Sequence, residues 1–126
     1  MDFKQPQRTW DTQPRLVGPG SGRKVFAHYL VGLTCDQPPE RWVQDIAAAQ
    51  QAGIDGFALN IGPSDPWTWT QLDHAYRAAE RSEAFFLFIS FDMAAGSWSV
   101  AHVVSLIRRY QGSSAQMKVH MESVSG

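Results

Sequence analysis

Apolar residues recur along this chain with two periods, and the alternation between them predicts the fold. "VFAHYLV", residues 25–31, is apolar almost throughout and reads as a strand covered on both faces. Asp36 with Pro38 and Pro39 reads as a helix start, because proline fits the first turn. Trp42, Val43, Ile46, Ala49 and Ala52 then fall at helical spacing. Gly53 reads as the stop, since glycine takes the left-handed backbone conformation at little cost. A second strand is predicted over 57–61, with Asn60 at its far end. Asp65 or Thr68 opens the next helix, Thr68 and Gln71 stand at capping-box spacing, and Leu72, Ala75, Tyr76 and Ala79 form the apolar stripe. "FFLFISFDM", residues 85–93, is the third strand. A third helix follows over about 99–110, with Val100, Val103, Val104, Ile107 and Tyr110 as its apolar face. "MKVHMESVSG" carries only a weak pattern for a fourth strand.

Strand and helix thus alternate three times at a spacing of about thirty residues, the size of a βαβ unit. The strands are too apolar to face water on either side. Two architectures fit: an open doubly wound sheet, or the first part of a (β/α)8 barrel. A whole barrel needs roughly 250 residues; this chain has 126. Residues 1–22 are polar, rich in Pro and Gly, and read as an irregular leader.

Composition narrows the function. The hydrophobic fraction of 44% supports a packed core rather than disorder. With a net charge of −1 and no basic stripe, nucleic acid is not an expected partner. No apolar run is long enough to span a membrane, and the amino-terminal stretch has no signal-peptide pattern. Cys35 is alone, so no internal disulfide forms. Asn60 is the sole asparagine, and no glycosylation sequon follows it. His28, His74, His102 and His120 make no ligand spacing, so no metal is expected. "GPGSGRKV", residues 18–25, precedes a strand, whereas a phosphate loop follows one and opens a helix.

The polar residues at strand ends are the candidate chemistry. In parallel α/β folds the carboxyl ends of strands carry the site. His28 lies in strand one, Asn60 ends strand two, and Ser90 and Asp92 end strand three. Period two puts Asn60 on one face with Ala58 and Gly56, and Phe57, Leu59 and Ile61 on the other, under the helices. Asp92 shares its face with Ser90 and Phe88. These groups can form a polar floor beneath a sugar- or phosphate-binding cleft, or they can cap nearby loops; a core histidine bonded to a carbonyl would look like His28. Asp55, before strand two, lies at the opposite end and reads as structural. Trp67, Trp69 and Trp98 sit just past strand ends. Their flat rings suit the apolar face of a pyranose, and anchoring of the following helices is the alternative.

The blocks "KVFAHYLVG", "DIAAAQQAGIDGFALNIG", "WTWTQLDHAYRAAE", "FFLFISFDM" and "VVSLIRRYQGSSAQ" resemble, in order and spacing, glycoside hydrolase family 71, the fungal α-1,3-glucanases or mutanases. The resemblance covers about residues 23–118. It implies an N-terminal (β/α)8 domain, usually secreted, that hydrolyses α-1,3-glucosidic bonds with inversion and without metal or organic cofactor. Residues 23–126 are then expected to be a truncated N-terminal portion of such a domain. Family members carry a signal peptide and several hundred further residues, and their catalytic carboxylates lie on later strands, so no catalytic residue is assigned here. His28, Asn60 and Asp92 would bond glucose hydroxyls, and Trp67, Trp69 and Trp98 would stack on rings. The partner expected is α-1,3-glucan. The alternative is a non-catalytic remnant, or a small glycan-binding or self-associating α/β unit. Three strands of a barrel leave open edges and an uncovered face, at which Phe26 or Ala27 and Phe88 would meet water; self-association through the edges is expected.

Overall fold

Proline at the first two positions of a turn, and glycine just past its end, delimit the first helix as the sequence predicts. In a computed structural model that describes residues 23–118, α1 spans Pro39–Gln51 with Pro38 as its cap, and Gly53 leaves it at φ +80°. The described elements run β1 (Phe26–Leu30), α1, β2 (Gly56–Ile61), α2 (Thr68–Arg81), β3 (Phe86–Phe91) and α3 (Val100–Tyr110). A short 3-10 turn, Val31–Leu33, follows β1. The leader and His120 lie outside the described residues.

The three strands form one parallel sheet in the order β1-β2-β3. The register aligns Phe26, Gly56 and Phe86 in one row, His28, Ala58 and Phe88 in the next, and Leu30, Asn60 and Ser90 in the third. Alternation sends the other set to the helices. Ala27, Val31, Phe57, Leu59, Ile61, Phe85 and Leu87 are buried in one core with Trp42, Ile46 and Ala49 of α1, Leu72, Ala75, Tyr76 and Ala79 of α2, and Leu106 and Tyr110 of α3. All three helices therefore cover one face, as in a barrel wall and unlike a doubly wound sheet. Among the described residues the sheet is not closed. This is an α/β arrangement of three strand-helix units, consistent with part of a (β/α)8 barrel.

One isolated parallel bridge lies beside β3. Leu87 pairs in parallel with Gln116. Its N–H donates to Ala115 O at 2.8 Å, and its carbonyl accepts from Met117 N at 2.8 Å.

Four local expectations are corrected. Ala27 lies among the helices, and it is Phe26 that shares the open face with Phe88, edge to face at 5.1 Å. The capping box of α2 does not form: Trp67 is the cap residue, and Gln71 turns inward to bond Trp42 and Gln37. Val43 of α1 is exposed, while Asp45, one turn-edge away, is buried. On α3 the buried residues are Leu106 and Tyr110, whereas Val100 is 81% and Ile107 49% exposed. Two apolar stripes overlap on that helix, and the stacking of Tyr110 on Tyr76 at 4.2 Å selects the one that faces α2.

Candidate functional site

Parallel pairing brings all three strands out at the same end, so the residues that follow them share one rim. On the open face the sequence-predicted groups form a diagonal. His28 stands opposite Ala58, Asn60 lies one row higher on β2 between Leu30 and Ser90, and Asp92 follows β3 one row higher again. With strands about 4.8 Å apart and a two-residue rise of about 6.6 Å, each step of the diagonal is about 8 Å. His28 is exposed, and Asn60, Ser90 and Asp92 are half-buried.

Asp92 is held by its surroundings. Its N–H donates to Ile61 O at 2.9 Å, which ties it to the end of β2. Its Oδ1 accepts from Ala94 N at 3.0 Å, and its carbonyl accepts from Trp98 Nε1 at 3.0 Å. The loop that follows packs on the loop after β2. A Cβ on Gly96, which sits at φ +153°, would come within 2.9 Å of Pro63 Cγ, and one on Gly62 within 3.4 Å of Ala95.

The sequence reading overlooked Asp65 at this rim. Its Oδ2 lies 3.2 Å from where a Gly32 Cβ would stand and 3.7 Å from where a Gly62 Cβ would stand. The two glycines leave room for that carboxylate above the ends of β1 and β2. The signal was available: Asp65 lies in the loop on the carboxyl side of strand two, but it reads equally well as a helix opener.

The tryptophans occupy three settings. Trp67 donates its indole N–H to Val31 O at 3.1 Å, joining the α2 entry to the turn after β1. Trp69 packs on the core with the Arg109 guanidinium over its ring at 5.1 Å. Trp98 meets Phe91 edge-on at 5.1 Å and lies 4.9 Å from His102. Asp55, at the other end of the sheet, accepts from Val25 N at 2.7 Å and so clips β1 to β2, a structural role.

Behind the sheet the polar groups are closed on one another. Tyr29 Oη donates to Asp45 Oδ2 at 2.5 Å and accepts from Gln37 Nε2 at 2.8 Å. Arg41 Nε meets Asp45 Oδ1 at 3.0 Å. Burial, reinforced by the Asp45 carboxylate, pushes the Tyr29 phenol well above its ordinary range. Between α2 and α3, Arg109 forks onto Asp73 at 3.0 and 2.7 Å, and Tyr110 Oη donates to the same carboxylate at 2.6 Å. The Arg109 hydrogen bonds hold the Asp73 carboxyl below its ordinary value. Among the described residues no cluster of His, Cys, Asp and Glu could hold a metal ion, and no helix is long and apolar enough to cross a membrane.

No solved structure matches the chain. Among known proteins it is 42% identical over 106 residues to a mutanase of Penicillium rubens, an alignment that takes in 82% of this chain and 23% of the relative. It is 43% identical over 89 residues to the glucan endo-1,3-alpha-glucosidase agn1 of Schizosaccharomyces pombe, covering 70% of this chain and 21% of that protein. An ascus wall endo-1,3-alpha-glucanase of the same yeast is 30% identical over 106 residues, covering 82% of the chain and 24% of the relative. The chain thus spans less than a quarter of the length of each of these relatives. Residues 21–125 match the glycosyl hydrolase family 71 pattern, nearly the whole sequence, and with the one-sided parallel strand-helix layering this establishes that the chain belongs to glycosyl hydrolase family 71.

Proposed function

We propose that residues 23–126 are the N-terminal portion of a (β/α)8 domain that hydrolyses the α-1,3-glucosidic bonds of glucan. The observation that carries the reading is the identity of 42% and 43% to proteins named as a mutanase and a glucan endo-1,3-alpha-glucosidase. The rim supports it chemically. His28, Asn60 and Asp92 offer donors and acceptors at successive heights of the open face, a spacing suited to hydroxyls along a sugar chain. Asp65 adds a second carboxylate beside them. Of the three tryptophans, Trp67 is the ring we assign to stacking, because Arg109 already lies over Trp69 and Trp98 rests on Phe91.

Inverting hydrolysis needs an acid and a base about 6.5–9.5 Å apart, on opposite sides of the scissile bond. We assign no such pair within this chain, so the 126 residues bind glucan without cleaving it, and self-association through the sheet edges belongs to the same reading. The test is a titration of the chain with α-1,3-linked glucose oligosaccharides, followed by amide NMR, with reducing-sugar release measured in parallel. Shifts at Asn60, Asp65 and Asp92 that weaken in Asp92→Asn and Asn60→Ala support the site. Sugar release by the chain itself, abolished in Asp92→Asn, would overturn the view that catalysis needs further barrel units.

A further inference from the structure

We propose that Trp98 is a positioning residue: its indole N–H on the Asp92 carbonyl fixes the Asp92 carboxylate at the rim. This rests on the reading of that rim as the glucan site.

Residues 93–97, which follow Asp92, are all exposed, and the half-buried Trp98 is the first side chain after them that packs on the core. A loop without buried side chains is ordered by few contacts and opens at little cost. Ala95 and Gly96 approach the loop after β2, and Trp98 supplies the core-packed side chain that residues 93–97 lack. Its ring sits edge-on against Phe91, the last residue of β3, and beside His102 in the first turn of α3. The His102 N–H donates to the Ser99 hydroxyl at 3.1 Å, so the helix start that carries His102 is itself capped. From this seat the indole reaches back six residues to the Asp92 carbonyl at 3.0 Å. The same carbonyl takes the Ala95 N–H at 3.3 Å, while Asp92 Oδ1 takes the Ala94 N–H at 3.0 Å. The main chain and one carboxylate oxygen of Asp92 are therefore engaged. Among the described residues Oδ2 receives no hydrogen bond, and Asp92 is half-exposed. A carboxylate held on one oxygen with the other open to a ligand is pre-organised for binding, which reduces the ordering cost on association.

Trp98→Phe keeps a ring against Phe91 and removes the donor. Hydrogen exchange of the Ala94 and Ala95 amides in the 126-residue chain is the direct readout, and the Kd for an α-1,3-linked glucose oligosaccharide is the functional one. Loss of one hydrogen bond predicts exchange faster by roughly three- to tenfold at both amides and a Kd weaker by a similar factor. Wild-type binding with an unchanged Kd in Trp98→Phe overturns the positioning role and leaves the rim reading intact. No binding by the wild type overturns the rim reading, and the amides then decide: faster exchange supports the clamp, unchanged exchange defeats it. The wild type gives a further check that needs no variant. Its Trp98 indole proton should exchange at least tenfold more slowly than a free indole, and exchange at the free rate overturns the clamp.

Discussion

The two faces of this one sheet have opposite character. Behind it, Trp42, Phe57, Leu59, Ile61, Leu72 and Leu87 are fully buried. The polar groups among them are mutually satisfied; Trp42 Nε1, for example, donates to Gln71 Oε1 at 2.8 Å. In front, Leu30 is 40% exposed, Phe26 and Phe88 are half-buried, and the polar groups climb in a diagonal to an open rim. Strand periodicity sends successive residues to these two environments, so adjacent positions answer to different demands. Leu59 and Ile61 pack against the helices; Asn60 between them points to the other face, where it is half-buried. The comparison teaches that buried packing and accessible polar groups are separated here by the pleat of the strands, with little separation along the chain.

The most severe test of that division is on the helix side. Trp42 stacks on Tyr29 at 4.3 Å and joins α1 to α2 through Gln71. Trp42→Ala removes that packing and leaves the Gln71 carbonyl without its donor, which should cost about 3–5 kcal/mol. In so small a unit this is a large part of the total stability. Urea unfolding followed by far-ultraviolet circular dichroism should show a midpoint near zero or no transition. A loss under about 1 kcal/mol would mean that the helix side does not hold the fold.

Much of this was legible in the sequence. Helical and strand periods differ enough to place three strands and three helices, and the alternation in "GFALNI" sorted its residues correctly between the two faces. Family resemblance was legible because five blocks kept their order. What was not legible depended on distant partners. Gln71 can cap its own helix or bond across to Trp42, and only the approach of α1 decides. Leu106 and Val100 both lie on apolar stripes of α3, and only Tyr76 on α2 selects between them. Asp65 became part of the rim only when Gly32 and Gly62 came beside it. Asp45 looks like a surface carboxylate on a helix until Tyr29 and Arg41 close over it.

Gly56 tests the open face itself. A Cβ there would stand 2.1 Å from Phe86 O and 2.4 Å from the Phe26 ring. The ring can swing into open space, but the carbonyl belongs to the sheet ladder. Gly56→Ala should therefore cost about 1–3 kcal/mol through strain at the β2–β3 pairing. Hydrogen exchange should rise first at the β2 and β3 amides. An unchanged urea midpoint would show that the front of the sheet yields freely, and would sharpen the contrast with the back.

A smaller effect comes from pH. Burial pushes the phenols of Tyr29, Tyr76 and Tyr110 upward, and the Asp45 and Asp73 carboxylates add to the shift at the first and last. A raised phenol pKa means that the folded chain keeps a proton which the unfolded chain loses near pH 10. This contribution is complete below about pH 10 and is lost as pH rises through the raised values. Urea midpoints should thus fall as pH rises from about 10 to about 11. Tyr76→Phe should reduce the slope, since its ring packing remains and its titration is gone. A flat profile over that interval would mean that the helix-side phenols reach water in the folded state.

The smallest expected change in stability is at the rim, and there the size of the effect carries the meaning. Asp92→Asn keeps an oxygen able to accept the Ala94 N–H and leaves the carbonyl that Trp98 holds untouched. Asn60→Ala removes a half-buried side chain from the face that no described helix covers. Both should leave the unfolding free energy within about 0.5 kcal/mol of the wild type, because neither opens a cavity or strands a buried charge. Both should nevertheless weaken oligosaccharide binding, by about 1–1.5 kcal/mol for each hydrogen bond to the sugar that is removed. Asp55→Asn supplies the opposite pattern. Its carboxylate clips β1 to β2 through Val25 N at 2.7 Å, so the change should lower stability and leave binding unaltered. If Asp92→Asn proved the destabilising variant and Asp55→Asn the one that abolished binding, the functional end of the sheet would have to be reassigned to the amino ends of the strands.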